Sequence, residues 1–341
     1  LEAFSQTSSL QDGTKFTGRG FVDINGTLSI PAGAQVVIDG VIYSSMFTTN
    51  AGEITVDGVA EIDITQLTGP GSIKIAQTAN MRFGLATVLS GHVMRNFGRA
   101  NFDPWSLLQL RNGSTFVNET GGVIELAAGA TLSILDSASQ LQNHGVIRHS
   151  GSGTTRLTGA VQNNGTIEVL GGFLRLNAGF SQQAGGSLLL NGGTITTETE
   201  SLTLAAGRLT GNGQFHTSHL NNTGGTIAPG SPVGGLKIVG SPLANLIQGP
   251  AGTIEIDIAG SEPQMGYDVL KVSGVALLNG TLRIKRADGF TPTNGQTFTF
   301  LECNARVGQF SQVELVNFPK GTTAGLKYYG DRVVLSTKTS P

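Results

Sequence analysis

Short runs in which apolar and polar residues alternate fill most of the first eighty residues of this chain. The runs FVDINGTLSI, AQVVIDGVI, GEITVDGVAEIDI and GSIKIA are separated by Gly or Pro-Gly. Alternation with a period of two is typical of β-strands that bury one face. It places Leu28 and Ile30 on an inner face and Thr27 and Ser29 on an outer face. The pattern predicts short strands with an interior of aliphatic side chains.

A second pattern, with a longer period, runs through the middle of the chain. A Gly followed by alternating apolar positions recurs as GGVIEL, HGVIRH, NGTIEV, GGSLLL, AGRLTG and GGTIAP. A repeat of about twenty residues cannot bury its own apolar face, whereas stacked repeats share one core. The spacing therefore predicts one solenoid coil per step, and an all-β fold. The repeated glycines are Gly122, Gly145, Gly165, Gly186, Gly207 and Gly225.

Asparagines precede several of these repeats, at Asn143, Asn164 and Asn222. Asn tolerates left-handed backbone angles and hydrogen-bonds to its neighbours, which suits a turn repeated at one corner of every coil. We expect stacked coils to align these amides in a ladder, as stacked strands do in cross-β structures.

Two stretches depart from the repeat and set the predicted domain organisation. Residues 80–110 hold the only Trp and three Arg, and they lack the glycine repeat. This segment is therefore predicted to be an irregular insertion in a coil domain that spans residues 1–240. Beyond residue 241 the repeat lengthens and aromatics become more frequent. A solenoid must cover its terminal coil to avoid recruiting another chain, so residues 241–341 are predicted to form a C-terminal β-rich cap.

Composition excludes several classes of function. The chain has 50 Gly in 341 residues, 13% charged residues and a formal net charge of -2, which provides no polybasic surface for nucleic acid. No apolar run approaches the roughly eighteen residues of a membrane span. The single cysteine, Cys303, has no internal disulfide partner. No phosphate-binding glycine loop or zinc motif is present, so no cofactor or metal is expected.

Four phrases in the second half of the chain carry a family resemblance: NNTGGTIAPGSPVGGLKIVG, YDVLKVSGVALLNGTLRI, GFTPTNGQTFTFLECNARVGQF and YGDRVVLS. Residues 120–341 resemble the closing part of secreted bacterial β-strand-repeat proteins, including autotransporter passenger domains. The resemblance implies a right-handed parallel β-helix displayed outside a bacterial cell, with the last hundred residues as its folding cap. It implies no catalytic residues, because such passengers host unrelated activities.

The segment 80–110 also holds the candidate ligand-binding residues. An exposed arrangement of aromatic and polar groups there would suit a glycan, because sugar rings stack on Trp while Arg and Asp bond to hydroxyls. The competing interpretation is that Trp105, Phe97 and Phe102 anchor the insertion, which residue type alone favours because Trp is usually largely buried. The candidate residues are His92, Arg95, Arg99, Asp103 and Trp105.

Three functions follow from this reading. The leading hypothesis is a non-enzymatic extracellular or cell-surface solenoid, adhesive or structural, that binds glycans or a host surface along one flank. The first alternative is a polysaccharide lyase or glycoside hydrolase, for which two carboxylates, or an arginine with a base, would have to converge along a cleft. The basic residues considered, which would neutralise uronate carboxylates or supply acid and base, are Arg82, Arg95 and His92. The second is a scaffold that self-associates through its coil ends. The acids considered are Asp39, Glu53, Asp57, Glu61 and Asp63, although outward acids on strands are ordinarily solvated.

Overall fold

The protein was analysed as a computed structural model that describes residues 7–23, 27–43, 48–61, 66–177, 179–197, 200–240 and 244–339. These residues form strands and turns and contain no helix, which confirms the predicted all-β class. The chain divides into two compact units, Leu1–Ser181 and Gln182–Pro341. This division does not coincide with the change predicted at residue 241.

Unit 1 consists of short strands joined by tight corners, as the alternating runs predict. Its strands are β1 (Thr7–Ser9), β2 (Thr14–Asp23), β3 (Thr27–Ile30), β4 (Gln35–Tyr43), β5 (Thr48–Asn50), β6 (Glu53–Val56), β7 (Val59–Glu61), β8 (Gln66–Thr68), β9 (Ser72–Ile75), β10 (Asn80–Phe83), β11 (Ala86–Ser90), β12 (Val93–Asn96), β13 (Arg99–Phe102), β14 (Leu107–Arg111), β15 (Thr115–Asn118), β16 (Val123–Leu126), β17 (Thr131–Ile134), β18 (Gln140–Asn143), β19 (Val146–His149), β20 (Thr154–Thr158), β21 (Val161–Asn163), β22 (Thr166–Val169) and β23 (Phe173–Leu176). A further strand, β24 (Phe180–Gln182), spans the unit boundary.

The strands of unit 1 stack in three parallel columns: from β5 onward three successive strands make one coil, whereas β1 to β4 alternate between the first two columns. Column one is β1, β3, β5, β8, β11, β14, β17, β20 and β23; column two is β2, β4, β6, β9, β12, β15, β18 and β21; column three is β7, β10, β13, β16, β19 and β22. All pairings within the columns are parallel. The parallel β-solenoid is confirmed, and the right-handed sense of its coils stays a prediction.

The interior of unit 1 is the inner face that the alternation predicts. Leu28 and Ile30 are buried, whereas Thr27 and Ser29 are partly exposed. One layer in column two places Met94, Phe116 and Leu141 in register, and all three are fully buried. Because each coil places its apolar side chains over those of the coil before, residues about twenty positions apart share one core.

The repeated glycines lie where one coil passes closely over the next. In unit 1 the Val146 N–H donates to the Gly122 carbonyl, at 2.9 Å. A Cβ added to Gly145 would lie only 2.1 Å from that carbonyl oxygen, so no larger residue fits. In unit 2 the Arg208 N–H donates to Gly186 O in the same way, also at 2.9 Å. One coil per glycine step is therefore confirmed within each unit.

Residues 80–110 are regular coil, so the predicted irregular insertion is wrong. Strand β10 pairs in register with β7 and β13, and β11 pairs with β8 and β14. The segment keeps the alternation of buried and exposed residues but fills its inner positions with larger side chains, including Met81 and Phe83. Phe83 stacks on Phe102 of the next coil, with ring centroids 4.4 Å apart. Unusual composition marked a change of core residues, not a break in the fold.

The predicted asparagine ladder exists in unit 1 with one change of residue, whereas Asn222 of unit 2 donates its Nδ2 to Gln248 Oε1 at 2.9 Å instead of to another asparagine. In unit 1 it joins Asn96, Asn118, Asn143 and Asn163, all fully buried at the ends of column two strands. Each Nδ2 donates to the Oδ1 of the next asparagine at 2.7 Å. Asn164 was expected in the ladder, but its neighbour Asn163 takes that place because it shares the inward phase of β21.

In unit 2 the coils begin with the same geometry and end in antiparallel strands. Its other strands pair in parallel, and β35 and β37 each pair antiparallel with β38. The role of this end as a cap stays a prediction. The strands are β25 (Ser187–Thr196), β26 (Leu202–Leu204), β27 (Arg208–His216), β28 (Leu220–Asn222), β29 (Thr226–Pro229), β30 (Gly235–Val239), β31 (Ala244–Gln248), β32 (Thr253–Ile258), β33 (Val269–Leu278), β34 (Thr281–Arg286), β35 (Thr297–Gly308), β36 (Gln312–Val316), β37 (Thr322–Tyr328) and β38 (Arg332–Thr339).

Candidate functional site

The candidate site of unit 1 is the corner between β13 and β14, where Trp105 is 81% exposed. Trp105 has a left-handed backbone with φ of 67°, which turns the chain sharply between the two strands. Its N–H donates to the carbonyl of Ala128 in the next coil, at 3.2 Å. A buried anchor was the competing expectation for Trp105, and its exposure makes that interpretation wrong for this residue. Phe102 does face the core, at 2% exposure.

The indole of Trp105 lies against a glycine of the neighbouring coil. A Cβ built on Gly129 would lie 2.6 Å from the ring atoms Cδ2 and Cε3, so only glycine leaves room for the ring. The next coil also has a glycine at this corner, Gly153, where an added Cβ would lie 2.9 Å from the Ala128 Cβ. The indole ring therefore packs against Gly129 on one side, and most of the Trp105 surface stays exposed to solvent.

Column three carries a charged network built on Arg82. The Arg82 guanidinium binds Asp103 with Nε–Oδ1 at 2.9 Å and Nη2–Oδ2 at 2.5 Å. Its Nη1 also binds Glu61 Oε2 at 3.0 Å. The hydrogen bond to Asp103 is the main cause that raises the pKa of Arg82. Coil register explains the arrangement, because Glu61 and Arg82 are paired positions of β7 and β10.

A second run of alternating charge continues along column three. Arg99 Nη1 binds Glu125 at 2.7 Å, and Glu125 also accepts from Arg148 at 2.9 Å. Arg148 in turn binds Glu168 at 2.7 Å. Glu125, Arg148 and Glu168 were not among the sequence candidates. Their spacing was the available signal, because opposite charges one coil apart meet on a parallel ladder.

The structure does not bring all five candidate residues together. Trp105, Asp103 and Arg99 lie on column three and the corner that follows it. Arg95 lies on β12 in column two, where it binds Glu119. His92 is fully buried, with Nδ1 3.3 Å from Ser90 O, and burial lowers its pKa. His92 points into the core and cannot contribute to an exposed platform.

Asp39 and Asp57 directly follow the paired positions Ile38 and Val56, so these two early acids lie one coil apart at the end of their column two strands. Asp39 and Asp57 are exposed, and Glu53 accepts a hydrogen bond from Thr55 at 3.2 Å. Asp63 lies outside the described residues. Glu61 shares a cation with another acid, Asp103, since both bind Arg82. The guanidinium neutralises the pair, which suits hydrogen bonding to a ligand more than acid-base chemistry.

Exposed apolar side chains extend the corner on either side of Trp105. Leu85, which precedes β11, is 59% exposed, and Phe173, which begins β23, is 43% exposed. The Leu107 N–H donates to Leu85 O, and Phe173 pairs with Thr154 on β20, so both belong to the corner that leads into column one. The corner thus presents exposed apolar side chains and an exposed aromatic ring, and the strands that lead into it carry the Arg82 network.

No protein-family model matches the chain, and a search of curated proteins finds no significant match. The described residues include no helix with the length and hydropathy that a membrane-spanning helix needs.

Proposed function

We propose that this chain is an extracellular or cell-surface solenoid of bacterial type that binds glycans at the Trp105 corner, as an adhesin or a structural surface protein. The observation that carries the proposal is the seated indole of Trp105, which is 81% exposed. Covering an exposed aromatic ring removes apolar surface from water, which favours binding of a ligand there. The resemblance to bacterial passenger domains supports the extracellular location.

The chemistry of the corner fits a saccharide. The C–H face of a sugar ring packs on an indole, and a hydroxyl group both donates and accepts hydrogen bonds. Asp103, two residues before Trp105, offers acceptors, and Arg82, which binds it, offers donors, on side chains 24% and 52% exposed. Covering about 100 Å² of the indole would contribute roughly 2.5 kcal/mol. Single contacts of that size are weak, so an adhesive role requires several contacts in parallel.

The protein carries its own reporter for this proposal, because Trp105 is the only tryptophan of the chain. A glycan array identifies binding sugars, and titration with a positive sugar should change the intrinsic tryptophan fluorescence. The variant W105A should reduce affinity at least about tenfold, the loss expected from about 1.4 kcal/mol or more. Because Trp105 is exposed, the circular dichroism spectrum of W105A should match that of the unsubstituted protein.

A matched control removes an exposed apolar side chain elsewhere in unit 1. Leu135 is 54% exposed and follows β17, at a different corner of the coil. L135A should bind sugars as the unsubstituted protein does. An array without any binding sugar, or equal affinity of W105A and L135A, would refute the proposed glycan site.

A further inference from the structure

Unit 2 contains a cleft of about 350 Å³ on the outer face of its coils, formed around β27, β30 and β33. Gly213 and Gly235 line the cleft without side chains, and the Gln264 carboxamide lies against Gly235, because a Cβ built there would be 2.8 Å from Gln264 Oε1. The side chains that border the cleft are Gln214, Lys237, Gln264 and Lys271. Its polar groups are therefore two ammonium groups and two carboxamides.

The two lysines of the cleft are direct neighbours. Lys237 and Lys271 are paired positions on the adjacent parallel strands β30 and β33, and Gln214 precedes them in the same row on β27. Paired strands place such residues about 4.8 Å apart at the backbone, and like charges at that position repel each other. A third basic side chain is close, since Lys237 lowers the pKa of His216 in addition to the effect of burial.

Only one of these two lysines has an acidic partner within the described residues. Lys271 Nζ binds Glu302 Oε2 at 3.0 Å. Lys237 is exposed and makes no ion pair within the same part of the chain. An anionic group between the two lysines would relieve their repulsion and pair Lys237.

The position of the cleft limits the kind of ligand. It lies on the face of a sheet whose central strand, β30, is paired with β27 on one side and β33 on the other. The backbone groups of β30 are therefore engaged in ladders, and an extended peptide cannot add to them as another strand. Recognition depends on side chains, with ammonium groups for an oxyanion and carboxamides for hydroxyls.

We propose that this cleft binds an acidic saccharide, with a uronate carboxylate between Lys237 and Lys271 and sugar hydroxyls on Gln214 and Gln264. This site is separate from the Trp105 corner and does not depend on it. A carboxylate pairs with the ammonium groups of the lysines, and the two carboxamides supply donors and acceptors for the sugar hydroxyls. An acidic peptide would meet the same charge but would leave the carboxamides without hydroxyl partners.

Calorimetric titration of the full chain with oligogalacturonate tests the proposal. Binding to oligogalacturonate is expected, and neutral gluco-oligosaccharides of equal length should bind at least about tenfold more weakly. K237Q should weaken oligogalacturonate binding about tenfold, and K237E should abolish it. E302Q frees Lys271 from its acidic partner and should tighten binding severalfold. The matched control is K320Q, which makes the same charge change at an exposed lysine of unit 2 outside the cleft.

Four results of these titrations would overturn the proposal, and a fifth comes from W105A: the four are no binding of oligogalacturonate, equal binding of the neutral oligomer, equal binding of polyglutamate, or equal weakening by K237Q and K320Q. W105A separates this site from the proposed glycan corner, since it should leave oligogalacturonate affinity unchanged. If W105A abolishes that affinity, the uronate is bound at Trp105 and the cleft proposal fails.

Discussion

Replacing Asn143 by alanine tests whether the buried amide ladder stabilises the coils of unit 1. Asn143 is completely buried. Its Oδ1 accepts from Asn118 Nδ2 at 2.7 Å, and its Nδ2 donates to Asn163 Oδ1 at 2.7 Å and to Thr166 O at 3.2 Å. Alanine removes all three hydrogen bonds at once.

The expected loss of stability follows from those contacts. Three hydrogen bonds at about 1 kcal/mol net each amount to about 3 kcal/mol. Asn118 Nδ2 keeps acceptors at Gly122 O and Val146 O, so the donor side is largely compensated. On the acceptor side, Asn163 Oδ1 loses a donor inside a buried site, which costs a further 1–2 kcal/mol or so. We therefore expect N143A to lower the free energy of unfolding by about 3–5 kcal/mol.

Urea denaturation followed by far-ultraviolet circular dichroism measures this loss, with N143A compared with Q142A. Gln142 is the preceding residue of β18 and lies on its outer face, so Q142A should change stability by no more than about 0.5 kcal/mol. N143D keeps the volume but turns a carboxylate oxygen toward Asn163 Oδ1, and it should cost at least as much as alanine at neutral pH. If N143A lies within about 0.5 kcal/mol of Q142A, the ladder does not stabilise the coils and the reasoning fails.

Two buried ionisable groups give predictions of pH dependence, measured as the free energy of unfolding at several pH values. In unit 2, Asp268 accepts from the Gly234 and Asp257 N–H groups at 2.8 Å, and burial raises its pKa to about 8 from a model-compound value of 3.8. The folded state then holds the Asp268 proton more tightly than the unfolded state, so its contribution to stability should fall as pH rises from 3.8 to about 8. D268N should make the free energy of unfolding depend less on pH. It should also lower that free energy by about 1–3 kcal/mol near pH 5, because one of the two backbone N–H groups loses its acceptor. A pH dependence equal to that of the unsubstituted protein would contradict the assignment to Asp268. In unit 1, burial holds the pKa of His92 below its ordinary value of 6.5, so stability should fall as pH drops through 6.5, and H92Q should show a smaller loss. A loss in H92Q as large as in the unsubstituted protein would assign the effect to another histidine.

The coil architecture was predictable because it is local and periodic. Alternation identified the inner face at Leu28 and Ile30, and the glycine step identified the places where backbones touch, as at Gly145. Both signals express steric rules that each coil must satisfy by itself. The same rules explain the error at residues 80–110, where composition was given more weight than an alternation that the segment still has.

The site was predictable in residue type and not in arrangement. Trp105, Asp103 and Arg99 were named from the sequence, and they do lie on one side of the coil. His92 was named with them, yet it belongs to the core. The network around Arg82 depends on which residues share a register, and corner lengths shift that register by one or two positions in each coil. A shift of one residue exchanges the inner and outer faces of a strand.

The sequence by itself thus determined that the chain forms parallel strands stacked in coils of about twenty residues, because every coil repeats the same local requirement. Only the tertiary structure decided that Trp105 is presented to solvent over Gly129, and that Lys237 and Lys271 stand side by side. Each of these contacts joins residues more than twenty positions apart, and the backbone register between coils, which no single coil encodes, sets which side chains meet.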